Sequence, residues 1–248
     1  MTPLIKTLSV IVGSLLTFSV MAFEIGAEFS AEAVQNVPGR TPVIAKMFVS
    51  KQAVRTESTI NGNTIVEIVY LLSRQRILLN QLSKTYFEQS PAVKNKHTKP
   101  KQNNSPCDKL IQASCRQLGS EKIDGRDSIK WEMTILDKGR QSKSLHWFDK
   151  QHHIPLKQQF SDGTISTMSY LGSDKIQGRT TDKWKFQSIR KSEKPAESLQ
   201  WYDTELKMVI REELPGGYSR ELRNIKVAKQ NKKLFKIPSD YKKEAAHQ

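Results

Sequence analysis

The chain has 248 residues, with 40 lysines and arginines against 25 acidic residues, and a formal net charge of +15. This length is enough for a hydrophobic core that needs few covalent staples. Only two cysteines are present, which excludes a disulfide-dense scaffold and a zinc site built from two cysteine pairs.

The N-terminal residues have the pattern of an export signal. Lys6 supplies a short basic start, Thr7–Phe18 is an apolar run, and Val20-Met21-Ala22 suits a cleavage site. We therefore predict a signal peptide over residues 1–22, cleavage after about Ala22, and an exported protein. The alternative is an uncleaved membrane anchor, although the apolar run is near the short end of the roughly 17–25 residues that span a bilayer.

Strand patterns dominate the N-terminal part of the chain, residues 23–89. Apolar and polar residues alternate from Phe23 onward, as in a half-buried strand. Asn61-Gly62 stands between two strand-like runs and predicts a hairpin, because both residues tolerate positive φ. The predicted strands are Phe23–Ala33, Val43–Val49, Ala53–Ile60, Thr64–Leu72, Ile77–Leu82 and Thr85–Glu88.

Residues 90–105 interrupt this pattern. They are rich in lysine, proline and asparagine and contain little that a core could bury, so we predict a mobile basic loop. Ser105-Pro106 then fits a helix N-cap with proline in the first turn, which predicts a short helix carrying Cys107 and Cys115. In an oxidising compartment these cysteines are expected to form a structural disulfide.

The rest of the chain contains one motif twice, and all four tryptophans fall in it. The first copy has Lys122-Ile123, Gly125-Arg126, Lys130-Trp131 and Ser144-Leu145-x-Trp147-x-Asp149, and the second has Lys175-Ile176, Gly178-Arg179, Lys183-Trp184 and Ser198-Leu199-x-Trp201-x-Asp203. We predict two four-strand antiparallel units, at about residues 122–171 and 175–225. They belong to a region 106–241 that continues the sheet of residues 23–89, and a basic tail follows at 242–248.

The repeated tryptophans and aspartates suit a structural role. Every second residue of a strand shares a face, so Trp147 and Trp201 are expected to bury their indoles against the layer beneath. Asp149 and Asp203 fall at strand ends, where a carboxylate can cap turn amides. Trp131 and Trp184 complete the structural repeat. The functional alternative is that the tryptophans line a cavity for acyl chains or sugar rings.

Known catalytic motifs do not occur in the chain. A nucleophile elbow, a zinc-binding H-E-x-x-H, a Walker loop and a dinucleotide fingerprint are all missing from the sequence. We predict no catalytic residue, no metal ligand, no cofactor and no enzyme, and the sequence identifies no ligand-binding residue. His146, His152 and His153 are close in sequence, but His152 and His153 are neighbours in a probable turn, where solvated histidines are expected rather than a metal site.

Several short motifs follow one another in a fixed order along the chain. They are Ala45–Val49, Val54-Arg55-x-Glu57, Lys84-x-Tyr86, Cys107 with Cys115, Leu118–Arg126, Lys130-Trp131, Trp147-x-Asp149, Pro155-x-Lys157, Asp162-Gly163 and Phe235-x-Ile237-Pro238-x-x-Tyr241. This order resembles an uncharacterised exported bacterial family related to the outer-membrane lipoprotein carriers LolA and LolB and to the envelope-stress regulator RseB. The resemblance implies a mainly β fold, in which a large curved antiparallel sheet forms a half-open barrel with one or two short helices. It also implies a periplasmic location.

These observations predict a non-enzymatic periplasmic binding or carrier protein for an acyl-chain or anionic lipid-like ligand of the cell envelope. The expected partners are lipid or lipoprotein acyl chains and the anionic envelope surface, whose phosphates would meet lysines and arginines. Nucleic acid is not an expected partner of an exported chain. The alternative is a periplasmic protein-interaction or envelope-sensor module, whose exposed strand edges bind peptides by adding a strand.

Overall fold

The computed structural model describes residues 25–90, 105–107, 113–137, 140–190 and 193–244. The predicted signal segment 1–22 and most of the predicted basic loop 90–105 lie outside the described residues. The described strands are β1 (Phe29–Asn36), β2 (Val43–Val49), β3 (Ala53–Ile60), β4 (Asn63–Tyr70), β5 (Arg76–Asn80), β6 (Thr85–Gln89), β7 (Ala113–Ile123), β8 (Arg126–Asp137), β9 (Arg140–Asp149), β10 (Pro155–Gln159), β11 (Ile165–Ile176), β12 (Arg179–Ile189), β13 (Ala196–Asp203), β14 (Met208–Leu214), β15 (Tyr218–Val227) and β16 (Lys242–Lys243). The helical segments of the described chain are two short 3₁₀ turns, Pro215–Gly217 and Lys232–Phe235.

These strands form one open, curved sheet. Its order is β16-β6-β5-β4-β3-β2-β1-β15-β14-β13-β12-β11-β10-β9-β8-β7. The predicted fold, a large unclosed sheet of mainly β structure, is confirmed. The sheet is mixed rather than purely antiparallel, because β16 runs parallel to its neighbour β6.

Strand β1 joins the two halves of the chain. It pairs with β2 on one side and with β15 on the other. Phe29 lies opposite Val49 and Ala33 lies opposite Leu222, and Phe29, Val49 and Leu222 are fully buried. With Met47 they form the centre of the larger hydrophobic core, in which apolar side chains pack against one another.

A smaller core lies under the C-terminal segment. Phe235 is 7% exposed and packs against the β3–β6 part of the sheet. The Arg55 guanidinium donates to the carbonyl of Leu234 at 2.8 Å, and the Tyr70 hydroxyl donates to the carbonyl of Phe235 at 2.5 Å. Lys242–Lys243 then form β16, so the predicted basic tail 242–248 begins as a strand, and residues 245–248 lie outside the described chain.

The helix predicted after Ser105-Pro106 is wrong over its second part. Residues Ala113–Ile123 are strand β7, and Cys115 lies opposite Met133 of β8. Cys107 is in a turn and is joined to Cys115 by the expected disulfide. Pairing with β8 satisfies the backbone groups on one side of this segment, and a capping signal in the local sequence cannot report such long-range pairing.

The two predicted four-strand units correspond to β8–β11 and β12–β15. Bulges bend the strands that precede each unit. The β7–β8 register shifts between Gln117 and Gly119, and the β11–β12 register shifts between Tyr170 and Gly172. Gly119 and Gly172 have φ values of 146° and 117°, which side chains rarely tolerate.

Candidate functional site

Each copy of the motif holds a buried carboxylate against an arginine from the preceding hairpin. Arg126 Nε donates to Asp149 Oδ2 at 2.6 Å, and Arg179 Nε donates to Asp203 Oδ2 at 2.5 Å. Asp149 and Asp203 are 2% and 1% exposed. The start of β8 is thereby tied to the end of β9, and the start of β12 to the end of β13.

The second oxygen of each carboxylate caps the following turn. Asp149 Oδ1 accepts the backbone N–H groups of Gln151 and His152 at 2.9 and 2.7 Å, and Asp203 Oδ1 makes the equivalent pair of bonds. Burial of Asp149 opposes its ionisation. The hydrogen bonds from Arg126 and the turn amides outweigh this effect and hold the pKa of Asp149 below its usual value. Asp149 is therefore a structural carboxylate.

Trp147 is enclosed between two lysines, and we call Lys130, Trp147 and Lys157 the first indole cluster. The Nζ atoms of Lys130 and Lys157 lie 4.7 and 4.9 Å from the centroid of the Trp147 ring. At this distance an ammonium group is attracted by the π face. Trp147 is 3% exposed, and its Nε1–H is buried with no hydrogen-bond partner among the described residues.

Trp201 has equivalent neighbours, and we call Lys183, Trp201 and Arg211 the second indole cluster. Lys183 Nζ and Arg211 Cζ lie 4.9 and 5.2 Å from the ring centroid. Here the indole N–H is paired, because Trp201 Nε1 donates to Asp174 Oδ2 at 2.8 Å. That hydrogen bond, the N–H of Lys175 and the nearby cations hold the pKa of Asp174 below its usual value.

The other two tryptophans occupy different environments. Trp184 is 2% exposed, and the Arg126 guanidinium carbon lies 5.3 Å from its ring centroid and 5.6 Å from that of Tyr170. The arginine of the first copy, Arg126, therefore packs on Tyr170 and on Trp184 of the second copy. Trp131 is partly buried and lies opposite His146 on the neighbouring strand.

His146 is a buried strand residue. It lies in β9, is 4% exposed, and its Nε2 and Nδ1 atoms lie 2.7 Å from Ser144 Oγ and 3.0 Å from Gln158 Nε2. Burial lowers the pKa of His146. In catalytic triads a serine nucleophile contacts a histidine base, which a carboxylate orients. Here Ser144 contacts His146, but the group that orients the imidazole is the amide of Gln158. The cluster is a buried polar network.

His152 and His153 lie in the turn that follows β9. His153 is exposed, as expected, whereas His152 is partly buried with its Nδ1 atom 3.3 Å from Asp149 Oδ1. Within the described part of the chain, no three histidine, cysteine or acidic side chains gather as metal ligands would.

An open groove of about 300 Å³ lies where β10 and β12 end and β11 begins. Its lining residues are Phe160, Asp162, Thr164, Ser166, Ser188 and Arg190. Ile165 and Ile189 pair across the adjoining strands and are 36% and 42% exposed. The Asp162 carboxylate accepts the N–H of Thr164 at 2.8 Å, and this bond holds the pKa of Asp162 below its usual value. We call this feature the strand-end groove.

Strand β7 is one edge of the sheet. Among the described strands it pairs with β8 alone, and residues Arg116 to Lys122 are exposed. An exposed edge of this kind is a template for an added strand. Within the described residues, no helix has the length and apolar character needed to cross a membrane.

No protein-family model and no curated protein matches the sequence. Similar solved structures include a domain described as an outer-membrane lipoprotein-sorting protein from Vibrio parahaemolyticus, which is 12% identical, with 85% of this chain and 89% of that chain covered and a TM-score of 0.39. A LolA superfamily protein from Nitrosomonas europaea is 19% identical, with 85% and 90% covered and a TM-score of 0.29. The MucA/MucB complex of Pseudomonas aeruginosa gives 10% identity, 82% and 94% coverage and a TM-score of 0.21. LolA-type and RseB-like proteins, the two kinds that the sequence resembles, are thus among these neighbours, and at these scores they carry no conclusion about function.

Proposed function

We propose that the protein is a non-enzymatic periplasmic binding or carrier protein for an acyl-chain or anionic lipid-like ligand of the cell envelope. The observation that carries this proposal is the strand-end groove. Phe160 supplies an apolar wall, and Arg190 supplies a cation at the same place. An apolar wall beside a positive charge suits an amphiphile with an anionic head.

A further apolar residue lies on the same face of the sheet. Ile135, at the end of β8, is 39% exposed. Ile135 lies opposite Ser142, whose hydroxyl is 3.3 Å from that of Ser161 beside the groove. Burial of apolar surface contributes about 0.8 kcal/mol per CH₂, so a few methylenes on this surface are enough for measurable binding.

Charge supports an anionic ligand. The formal net charge is +15, and the side chain of Arg190 in the groove lining is 65% exposed. Cations so placed attract the phosphates of lipid headgroups. The carboxylate of Asp162, also in the groove lining, accepts the N–H of Thr164.

The larger hydrophobic core is a poor place for the ligand. Phe29, Met47 and Leu222 at its centre are no more than 2% exposed, so side chains of the protein itself fill this part of the sheet. We therefore place acyl-chain binding at the strand ends, instead of on the open apolar face that a half-open barrel suggests.

Vesicle co-sedimentation and uptake of a fluorescent fatty acid test this function. We expect the protein to bind phosphatidylglycerol vesicles more tightly than phosphatidylcholine vesicles, and the double variant Phe160→Ser/Arg190→Glu to bind at least about tenfold more weakly. Leu72→Ser is the matched control, because Leu72 is 76% exposed in the turn between β4 and β5, in the other half of the chain. The proposal is overturned if the protein takes up neither ligand, or if the double variant binds like the control.

A protein-interaction or envelope-sensor module is the second candidate, and the exposed edge of β7 favours it. A partner peptide would add a strand antiparallel or parallel to β7. A photo-crosslinking residue at Ser120, exposed on β7, should capture a specific partner in native envelopes. The same residue at Lys46, exposed on the internal strand β2, should not. Equal capture at both positions, or none at Ser120, argues against this candidate.

A further inference from the structure

The two indole clusters differ in one group. In the second cluster, the Asp174 carboxylate accepts the Trp201 N–H at 2.8 Å between Lys183 and Arg211. In the first cluster, the Trp147 N–H is buried and has no acceptor among the described residues. A buried N–H without a partner costs free energy, so this position calls for an acceptor.

The backbone shows that Glu121 holds the position of Asp174. Glu121 lies opposite Ser128, whose hydroxyl donates to the Glu121 carbonyl at 2.6 Å. Asp174 lies opposite Thr181, whose hydroxyl donates to the Asp174 carbonyl at 3.2 Å. The side chain at position 121 is one methylene longer, and its carboxylate lies 3.8 Å from Lys130 Nζ instead of on the indole.

We propose that the first indole cluster is a binding site for an oxyanion such as a phosphate group. One oxygen of this anion accepts the Trp147 N–H, and Lys130 and Lys157 balance its charge, as Lys183 and Arg211 do for the Asp174 carboxylate. The site lies on the opposite face of the sheet from the strand-end groove and goes beyond the proposed function, and the phosphate is either a lipid headgroup or free phosphate.

Glu121 competes with the anion for Lys130. Its side chain is 46% exposed, and its contact with Lys130 is long, so it can turn to solvent at little cost. The nearby Glu132 is already engaged with Arg116 at 3.2 Å and with Lys143 at 4.0 Å. The flanking lysine Lys130 is 30% exposed, which leaves a path from solvent.

The test follows the indole N–H resonances by NMR while inorganic phosphate is added, with sodium chloride at equal ionic strength as the control. Trp147→Phe assigns the resonance of Trp147. We expect this resonance to shift saturably with phosphate alone, and that of Trp201, whose N–H already has an acceptor, to stay in place. Glu121→Asp supplies a carboxylate of the length found at Asp174, and should lower the phosphate affinity at least about tenfold by filling the site. Lys157→Gln should do the same by removing a cation.

A substitution in the second indole cluster tests the same idea in the opposite direction. Asp174→Ala removes the acceptor of Trp201, whose resonance should then respond to phosphate. The proposal is overturned if the Trp147 resonance does not move, or if it moves equally in the Glu121→Asp and Lys157→Gln variants. No lipid is present in this titration, so its failure is distinct from failure of vesicle binding. Phosphatidylglycerol vesicles that compete with phosphate at Trp147 identify a headgroup as the source, and absence of competition identifies free phosphate.

Discussion

Arg126 at the start of β8 and Asp149 at the end of β9 form an ion pair in which Nε and Oδ2 are 2.6 Å apart and the carboxylate side chain is 2% exposed. The pair links the β7–β8 hairpin to the turn after β9. Arg179 and Asp203 have the same relationship in the second unit. Removing one partner of such a pair leaves a buried charge uncompensated.

Asp149→Ala should therefore lower the free energy of unfolding by about 3 kcal/mol. The variant loses the partner of Arg126 and both hydrogen bonds to the turn. Urea denaturation followed by circular dichroism measures the change. Glu193→Ala is the matched control, since the Glu193–Arg190 pair is 4.0 Å long with both side chains over 60% exposed, and should change stability by no more than about 0.5 kcal/mol. Equal effects of the two substitutions would contradict the structural role of Asp149.

The same carboxylate predicts a loss of stability in acid. The pKa of Asp149 is lower in the folded chain than in the unfolded chain, so its contribution is fully present above the unfolded value of about 3.9 and is lost as the pH falls through the folded value. Asp149→Asn cannot titrate. We expect the stability difference between wild type and this variant to shrink as the pH falls below about 3.9. A difference that stays constant below this pH would show that folding does not lower the pKa of Asp149.

His146 predicts a second pH dependence, at higher pH. Its pKa is lowered by burial, so below about pH 6.5 the unfolded chain binds a proton that the folded chain does not. Stability should fall as the pH drops from about 7 to about 5, and His146→Gln should flatten this slope. NMR titration of the imidazole C–H resonances measures the site directly. A fitted pKa at or above that of a free histidine would refute the burial effect.

The disulfide predicts a local effect on the edge of the sheet. Cys107 and Cys115 are separated by 8 positions, and loop closure of this length is worth about 2.5 kcal/mol. Reduction, or the double variant Cys107→Ser/Cys115→Ser, should loosen β7 first. Hydrogen exchange should then accelerate in Ala113–Ile123 while β1, on the far side of β8–β15, keeps its protection. Uniform acceleration across the sheet would show instead that the disulfide stabilises the whole fold.

Local signals in the sequence were enough for most strands. Val43–Val49 and Ala53–Ile60 have the bounds that alternation predicts, and Asn61-Gly62 turns between β3 and β4 with φ values of 51° and 77°. These features depend on side-chain period and turn chemistry, which act over a few residues. The Ser105-Pro106 cap is also a local signal, and it predicts a helix at the start of β7. The pairing of β7 with β8 decides the structure there, and it depends on residues outside this segment.

The sequence by itself determined that this chain forms a β sheet of short strands and tight turns, with one disulfide between its two cysteines, because residue type and spacing act locally. The tertiary structure alone decided that β1 pairs with β15, that Phe235 covers β3–β6, and that His146 is buried. It also decided that Asp174 accepts the Trp201 N–H, whereas no described residue accepts that of Trp147. Each of these contacts joins groups that are far apart in the chain. The packing of the whole sheet brings them together, and no single segment contains the information.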